Sequence, residues 1–289
     1  MAARPELIAI VGPTASGKTS LALDIAERWN GEIICADSRT VYKGMDIGTA
    51  KPTAEEQARI RHWGLDLVQP GEPFSAADFK RHADAAITDI RSRGKLPLLV
   101  GGTGLYVDAV LYDYSFGPPA DAAQRKQLEP MTIQELTAYC AEHNVILPEN
   151  RKNKRHLIRA IERKSISAIS KSKLSPNNYI VGIATNMETL RTRIVTRTEQ
   201  LFENNVVAEA TLLGKKYGWN SEAMTGNIYP LLKLHLEGEL TLEEVKDRFT
   251  TLDYQLAKRQ MTWFRRNPDI MWATLTEAKG YIHSLLADE

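Results

Sequence analysis

With 289 residues, 43% of them hydrophobic, the chain can bury one large core or a core with a smaller companion, which excludes a disordered or fibrous class. A net charge of +1 excludes a globally cationic protein, so any polyanion must be met by local basic patches. Two cysteines, Cys35 and Cys140, exclude a disulfide framework or a cysteine zinc site, and the absence of a long apolar run makes a cytoplasmic protein with no membrane partner the expectation.

In chain order, Leu7 to Val11 is a short apolar run that reads as a buried strand. Gly12-Pro13-Thr14-Ala15-Ser16-Gly17-Lys18-Thr19 follows, with two glycines, a lysine and a hydroxyl at phosphate-loop spacing. Leu21 to Trp29 then has helical periodicity, so strand, glycine loop and helix come in the order a phosphate loop requires. The glycines let successive N–H groups and the positive helix end face an anion, Lys18 adds a point charge, and Thr19 is placed to ligate a phosphate-bound Mg²⁺. Glu32 to Ala36 reads as a second strand and delivers Asp37 and Ser38 to the carboxyl end of the sheet, where open α/β folds place ligands.

Tyr42 to Pro52 is irregular and glycine-rich and reads as a functional loop. A helix is expected over Ala54 to His62 and a short strand over Leu65 to Val68. A capping box at Ser75-Ala76-Ala77-Asp78 begins a helix to about Arg93. Leu96 to Val100 is a third clear strand running into Gly101-Gly102-Thr103-Gly104, whose glycines permit close backbone approach to something bound. From Ser115 the pattern becomes polar and helical without strand signals, which reads as an inserted helical subdomain over residues 115–177. Within it, Arg151 to Lys164 carries seven basic residues against the single Glu162, with Leu157, Ile158 and Ile161 forming an apolar face. A serine- and lysine-rich connection spans Ser165 to Asn178. The sheet resumes at Tyr179 to Ala184, a long helix spans Met187 to about Tyr217, another runs from Thr241 through Arg266, and Asp269 to Ala273 is a last edge strand. The expected architecture is therefore α/β: a parallel sheet of the phosphate-loop NTPase type flanked by helices, split into residues 1–114 and 178–289 by the insertion.

Gly12 to Thr19, Ala36-Asp37-Ser38, Gly44 to Pro52, Ser75 to Phe79, Val100 to Tyr106, Arg159 to Glu162 and Ala257 to Arg265, taken together and in this order, resemble the tRNA dimethylallyltransferases over nearly the whole chain. The resemblance implies transfer of a dimethylallyl group from dimethylallyl diphosphate to the exocyclic amine of the adenine on the 3′ side of the anticodon, with Mg²⁺ as companion. It also implies that Asp37 is the general base, that Thr103 lies at the substrate tRNA, and that Arg197 reaches the diphosphate. Ser38, Arg39 and Thr40 then border the base pocket, and Arg125 contacts tRNA. His62 falls on a family histidine but is left out of the catalytic set, a lone histidine being more often structural.

The residues support the same chemistry directly. An allylic diphosphate reacts when its leaving group is stabilised, which calls for backbone donors, a lysine and a metal, as Gly12 to Thr19 can provide. The adenine amine must lose a proton during or after attack, so a carboxylate is wanted within hydrogen-bond reach, and Asp37 is best placed. A metal-shell role for Asp37 stays open on the residues alone. Arg155 and Arg159, four apart on the basic helix, suit an RNA backbone, the other reading being a solvated face. Trp263 reads as core. The target base must leave its stack to reach the phosphate-loop pocket.

The chain departs from the family at Thr40, commonly glutamine, at Lys152, Asn153 and His156, commonly asparagine, aspartate and arginine, and at Asp253 and Tyr254, commonly threonine and arginine. The usual methionine and glycine are missing near Leu201 to Asn205. None of these touches the phosphate loop, Asp37 or Thr103. The alternatives are isopentenyl transfer to a free adenine nucleotide and a phosphate-loop kinase or nucleoside triphosphatase. The basic helix argues against the first, and the lack of a separate strand ending in a Mg²⁺-binding aspartate argues against the second. A monomer is the default expectation.

Overall fold

The structure, a computed structural model, describes residues 5–117, 121–148, 150–163 and 172–287. It resolves into two compact units, Asp113–Ser172 and the remainder on either side of it. The larger unit opens with β1 (Leu7–Val11), α1 (Lys18–Arg28) and β2 (Gly31–Ala36). Next come α2 (Ala54–Arg59), β3 (His62–Trp63), α3 (Ala76–Ser92), β4 (Leu96–Gly101) and α4 (Gly104–Leu111). The smaller unit holds α5 (Ala122–Leu128), α6 (Ile133–Glu142) and α7 (Lys154–Glu162). The larger then resumes with β5 (Asn178–Ile183), α8 (Met187–Glu203), α9 (Val206–Tyr217), α10 (Tyr229–Leu236), α11 (Leu242–Phe264), β6 (Ile270–Ala273) and α12 (Leu275–Ala287).

The six strands form one sheet in the order β3-β2-β4-β1-β5-β6, and every pairing is parallel. Continuous apolar runs suit such strands, because helices cover both faces. In β1 the alternation is complete: Leu7, Ala9 and Val11 enter one core with Phe79, Val107 and Phe264, while Ile8 and Ile10 enter the other with Leu21, Ile25 and Ile282. Because β4 sits between β1 and β2, the chain ends of β1, β2 and β4 lie side by side, the topological position where such sheets bind ligands.

Two expected regions differ, and a helix beyond Ala273 was not expected. The strand beside β2 is His62–Trp63, not Leu65 to Val68, and the preceding helix stops at Arg59. Left-handed Gly64 (φ 85°) and Asp66 (φ 54°) turn the chain out of the sheet, so Val68 makes only a bridge to Tyr42. The single helix expected over Met187 to Tyr217 is two, because Asn205 adopts φ 66° and starts α9 afresh. The added helix is α12, whose Ile282 and Leu286 complete the core over α1.

The smaller unit has its own core of Leu128, Leu136, Cys140, Leu157, Ile158 and Ile161, gathered from all three of its helices. Its basic helix is shorter than the charged run, Lys154–Glu162, because Asn153 caps it by accepting the Arg155 N–H. Of the serine- and lysine-rich connection, residues 165–171 lie outside the described residues.

Candidate active site

Most helix starts in this chain are capped by a side chain: Thr53, Ser75, Asp121, Thr132, Asn153, Asn186 and Thr241 each accept a first-turn N–H. The starts of α1 and α4, which follow β1 and β4, are not, and neither carries an acid in its first turn. At α1 the cap is left-handed Gly17 (φ 93°), with Gly12 (φ 148°) and Ala15 (φ 59°) bending the loop before it. This exposes the helix's positive end to an anion. The buried Ser16 hydroxyl in the same loop has no partner among the described residues.

The cations around the loop rest on neutral oxygens. Lys18 Nζ donates to Pro13 O at 2.5 Å, Arg197 Nη1 to Thr14 Oγ1 at 2.6 Å, and Arg193 Nη1 to Ser16 O at 3.3 Å. Burial pulls the Lys18 pKa down to about 7, the nearby charge of Arg197 adds to this, and Asp37 opposes it. Such a group gains most from a bound polyanion. Arg193 and Arg197 lie one turn apart on α8, and Arg193 is a contact the sequence reading did not use.

Asp37 and Thr103 come together because β2 and β4 are neighbours. Gly101 is pressed so close that an added Cβ would stand 2.1 Å from Ala36 O, Thr103 N donates to Ala36 O at 3.2 Å, and Ser38 N donates to Thr103 Oγ1 at 3.0 Å. The Thr103 hydroxyl thereby braces the strand end instead of capping α4. Asp37 turns back on itself: its Oδ1 accepts the Arg39 N–H at 2.8 Å, leaving Oδ2 for another partner. Arg39 Nη1 is anchored to Glu222 O and Thr225 Oγ1 at 2.9 and 3.2 Å, and Thr40 is buried beneath the turn.

The glycine turn after β4, expected to admit a bound group, lines the cleft with Gly101, Gly102 and Thr103 and is also packed closely by α11. A Cβ at Gly102 would stand 2.3 Å from Gln260 Nε2, and one at Gly104 would stand 2.2 Å from Trp263 Cδ1. Trp263, expected in the core, is 39% exposed; its indole lies over Gly104 and its Nε1 donates to Asp108 Oδ2 at 2.8 Å. On the far wall, the Tyr42 to Pro52 loop is tied down at both ends. Glu209 accepts the N–H groups of Asp46, Ile47 and Gly48 at 2.7, 2.6 and 2.9 Å, and buried Lys51 donates to Tyr42 O, Asp46 and Asp66. No local sequence signal points to these ties, which join residues about 160 positions apart for Glu209.

These groups line one cleft of about 1270 Å³, which Asp37, Thr103, Lys18, Thr19, Arg197 and Arg259 all reach. That exceeds the roughly 300–1,000 Å³ of an ordinary small-molecule site, leaving room for two reactants. Asp253 also lines it and is nearly fully buried; burial raises its pKa, Arg197 works against that rise, and its Oδ1 accepts from Asn227. Cys35, at the cleft floor, has its thiol pushed up to about 12 by burial and by the Asp37 charge, so it is no nucleophile. Among the described residues no group of three or more His, Cys, Asp or Glu side chains could hold a metal unaided. The exposed Thr19 hydroxyl and the Asp37 carboxylate are nevertheless hard oxygen donors, which together with phosphate oxygens suit Mg²⁺.

In the smaller unit, Arg125 and Arg159 do more than present charge. Arg125 Nε and Nη2 donate to the two Glu162 oxygens at 2.7 and 3.2 Å, and Arg159 Nη1 donates to Glu162 Oε2 at 3.1 Å. The Glu162 side chain is 1% exposed, so this cluster ties α5 to α7. Arg155 is exposed on α7.

A family model described as IPP transferase matches residues 40–267, and one described as isopentenyl transferase matches residues 5–70. The tRNA dimethylallyltransferase of Staphylococcus haemolyticus is 38% identical, covering 93% of this chain and 86% of its own. That of Bacillus licheniformis is 37% identical, covering 94% and 92%. Among solved structures, the tRNA isopentenylpyrophosphate transferase of Bacillus halodurans superposes with a TM-score of 0.75 at 36% identity, over 99% of this chain and 98% of its own. A eukaryotic dimethylallyltransferase acting on tRNA shares the fold with a TM-score of 0.74 at 23% identity, over 93% of this chain and 73% of its own.

Proposed function

The chain belongs to the IPP transferase family, the family of the tRNA dimethylallyltransferases, and from that premise we propose that it moves a dimethylallyl group from dimethylallyl diphosphate to the exocyclic amine of the adenine 3′ to the tRNA anticodon. The observation that carries this reading is the meeting of two half-sites in one cleft: cations and uncapped helix amides at the end of β1, and the Asp37–Thr103 pair at the ends of β2 and β4.

The diphosphate lies along Gly12, Pro13, Thr14, Ala15, Ser16 and Gly17, with Lys18 and Arg197 at its oxygens. Both cations exchange neutral oxygens for an anion, a gain that is larger than for solvated groups because Lys18 is desolvated. Mg²⁺ would be held by the Thr19 hydroxyl together with the diphosphate, and would supply charge neutralisation of the leaving group. The allylic C–O bond breaks and its electron pair leaves on the diphosphate, whose charge Lys18 and Arg197 receive. The adenine nitrogen forms the new C–N bond, and its surplus proton passes to Asp37 Oδ2, the oxygen not used by Arg39. Thr103 Oγ1 accepts the Ser38 N–H and keeps a second lone pair for an amine N–H, which orients the amine beside Asp37. Ser38, Arg39 and Thr40 border the extruded base, while Arg125, Arg155 and Arg159 of the smaller unit meet the RNA backbone. Arginine carries five N–H donors, so the Glu162 pairing of Arg125 leaves others for phosphate. The protein acts as a cytoplasmic monomer; among the described residues no helix is long and apolar enough to cross a membrane.

The test is transfer of labelled dimethylallyl diphosphate to an anticodon stem-loop, with adenosine monophosphate in parallel. Label on the stem-loop supports the reading. Label only on the nucleotide replaces it with a free-nucleotide transferase, and label on neither, with nucleoside triphosphate hydrolysis, replaces it with a phosphate-loop hydrolase.

A further inference from the structure

The two half-sites sit on different loops, and something must set the distance between them. We infer that Gln260 of α11 is the positioning residue that holds the phosphate loop in register with the Asp37–Thr103 turn, and so sets the reach from the leaving group to the attacking amine. Its Oε1 accepts the Thr14 N–H at 2.8 Å, across 246 residues of chain. Its Nε2 occupies the space above Gly102, where an added Cβ would stand only 2.3 Å away. One carboxamide thus touches the loop that follows β1 and the turn that follows β4.

Two further contacts make this a register and not a chance contact. Thr14 is gripped twice, at its N–H by Gln260 and at its hydroxyl by Arg197, so its orientation in the loop is over-determined. On α11, Asp253, Leu256, Gln260 and Trp263 fall at i, i+3, i+7 and i+10 and share one helical face. The first three line the cleft, and Trp263 sits on Gly104 at the start of α4 and bonds Asp108. A single rigid helix therefore lies along both loop ends. Reacting atoms must meet within a few tenths of an ångström, and a misplacement of about 1 Å can cost about 10²-fold in rate.

This inference rests on the transferase reading above, and the experiment separates the two. Gln260→Met keeps the length and removes both polar atoms; Gln260→Glu keeps the length and an acceptor for the Thr14 N–H. Steady-state transfer to the anticodon stem-loop and binding of inorganic diphosphate are measured for each. Gln260→Met is expected to lower kcat about 10- to 100-fold, with KM for the donor and affinity for diphosphate within about threefold of the parent. Gln260→Glu, at saturating donor, is expected to regain most of kcat. If Gln260→Met does not fold, Gln260→Asn, one methylene too short to bridge, takes its place with the same expectation. The inference is overturned if kcat is unchanged, if the loss falls on donor KM and diphosphate binding instead, or if Gln260→Glu is no better than Gln260→Met. A parent protein that transfers nothing to the stem-loop overturns the transferase reading, whereas an active parent with a fully active Gln260→Met overturns only the register.

Discussion

The two ends of the sheet each hold a cluster of charges and use it in opposite ways. At the amino end of β2, Glu32 is 1% exposed and is saturated: Arg93 donates twice to it at 2.5 and 2.8 Å, and Lys95 and Trp63 each donate at 2.8 Å. At the carboxyl end, Lys18, Arg193 and Arg197 crowd together, and their hydrogen bonds among the described residues go to backbone carbonyls and one hydroxyl. The first arrangement is electrostatically closed and stabilises the fold. The second is open: Asp37 and Asp253 act on these cations only through space, and the cations' hydrogen bonds rest on neutral oxygens that a bound anion can replace. The difference separates a charged cluster that builds structure from one that binds substrate.

Substitutions at the two ends should fail in different assays. The largest effect is expected from Asp37→Asn, which keeps the turn but cannot take the proton: kcat should fall by roughly 10²–10⁴-fold, with thermal unfolding unchanged. Loss of stability in proportion to activity would make Asp37 a structural residue. Next is Glu32→Ala at the other end, expected to cost about 3 kcal/mol of stability while the folded fraction keeps its turnover, read by denaturant melts beside kcat. The partners of Glu32, Arg93 foremost, hold its pKa at about 2, against an ordinary value near 4.5. Its stabilisation is therefore fully present above about pH 4.5 and is lost as pH falls through 2, and Glu32→Gln should flatten that part of the acid-unfolding curve.

Arg197→Gln should raise donor KM by roughly 10- to 100-fold, the loss of about 1.5–3 kcal/mol for a hydrogen bond to a charged group, and leave melting unchanged. The smallest effect concerns pH. With the Lys18 pKa pulled down to about 7 by burial, diphosphate binding above that pH should be accompanied by proton uptake. Affinity for inorganic diphosphate should weaken from pH 7 to 8.5, by at most about tenfold per pH unit. Calorimetry in buffers of different ionisation heat should show an uptake that disappears in Lys18→Met. Uptake that persists in that variant would assign the proton elsewhere.

What could be read without a fold was what short-range physics governs. The phosphate loop, the starts at Ser75 and Thr241, and the strands β1, β2 and β4 rest on turn chemistry, capping and apolar runs within about ten residues, and each lies where the sequence places it. The same locality explains the misses. Met187 to Tyr217 has unbroken helical periodicity, and only the left-handed Asn205 divides it. His62 and Trp63 became the edge strand because β2 offered a partner there, a tertiary choice that overrides a weak helical preference. Asp37 and Thr103 could be named one at a time, but their meeting, through the bonds of Thr103 to Ala36 and Ser38 on either side of Asp37, depends on β4 lying beside β2. Gln260 stands in the Ala257 to Arg265 segment that carries the resemblance, but its bond to Thr14, like those of Arg193 to the phosphate loop and of Glu209 to Asp46, Ile47 and Gly48, spans 161 to 246 residues and exists only once the sheet order has closed the chain. Local sequence thus determined which groups the protein carries to its strand ends, and the tertiary structure alone decided which of them meet.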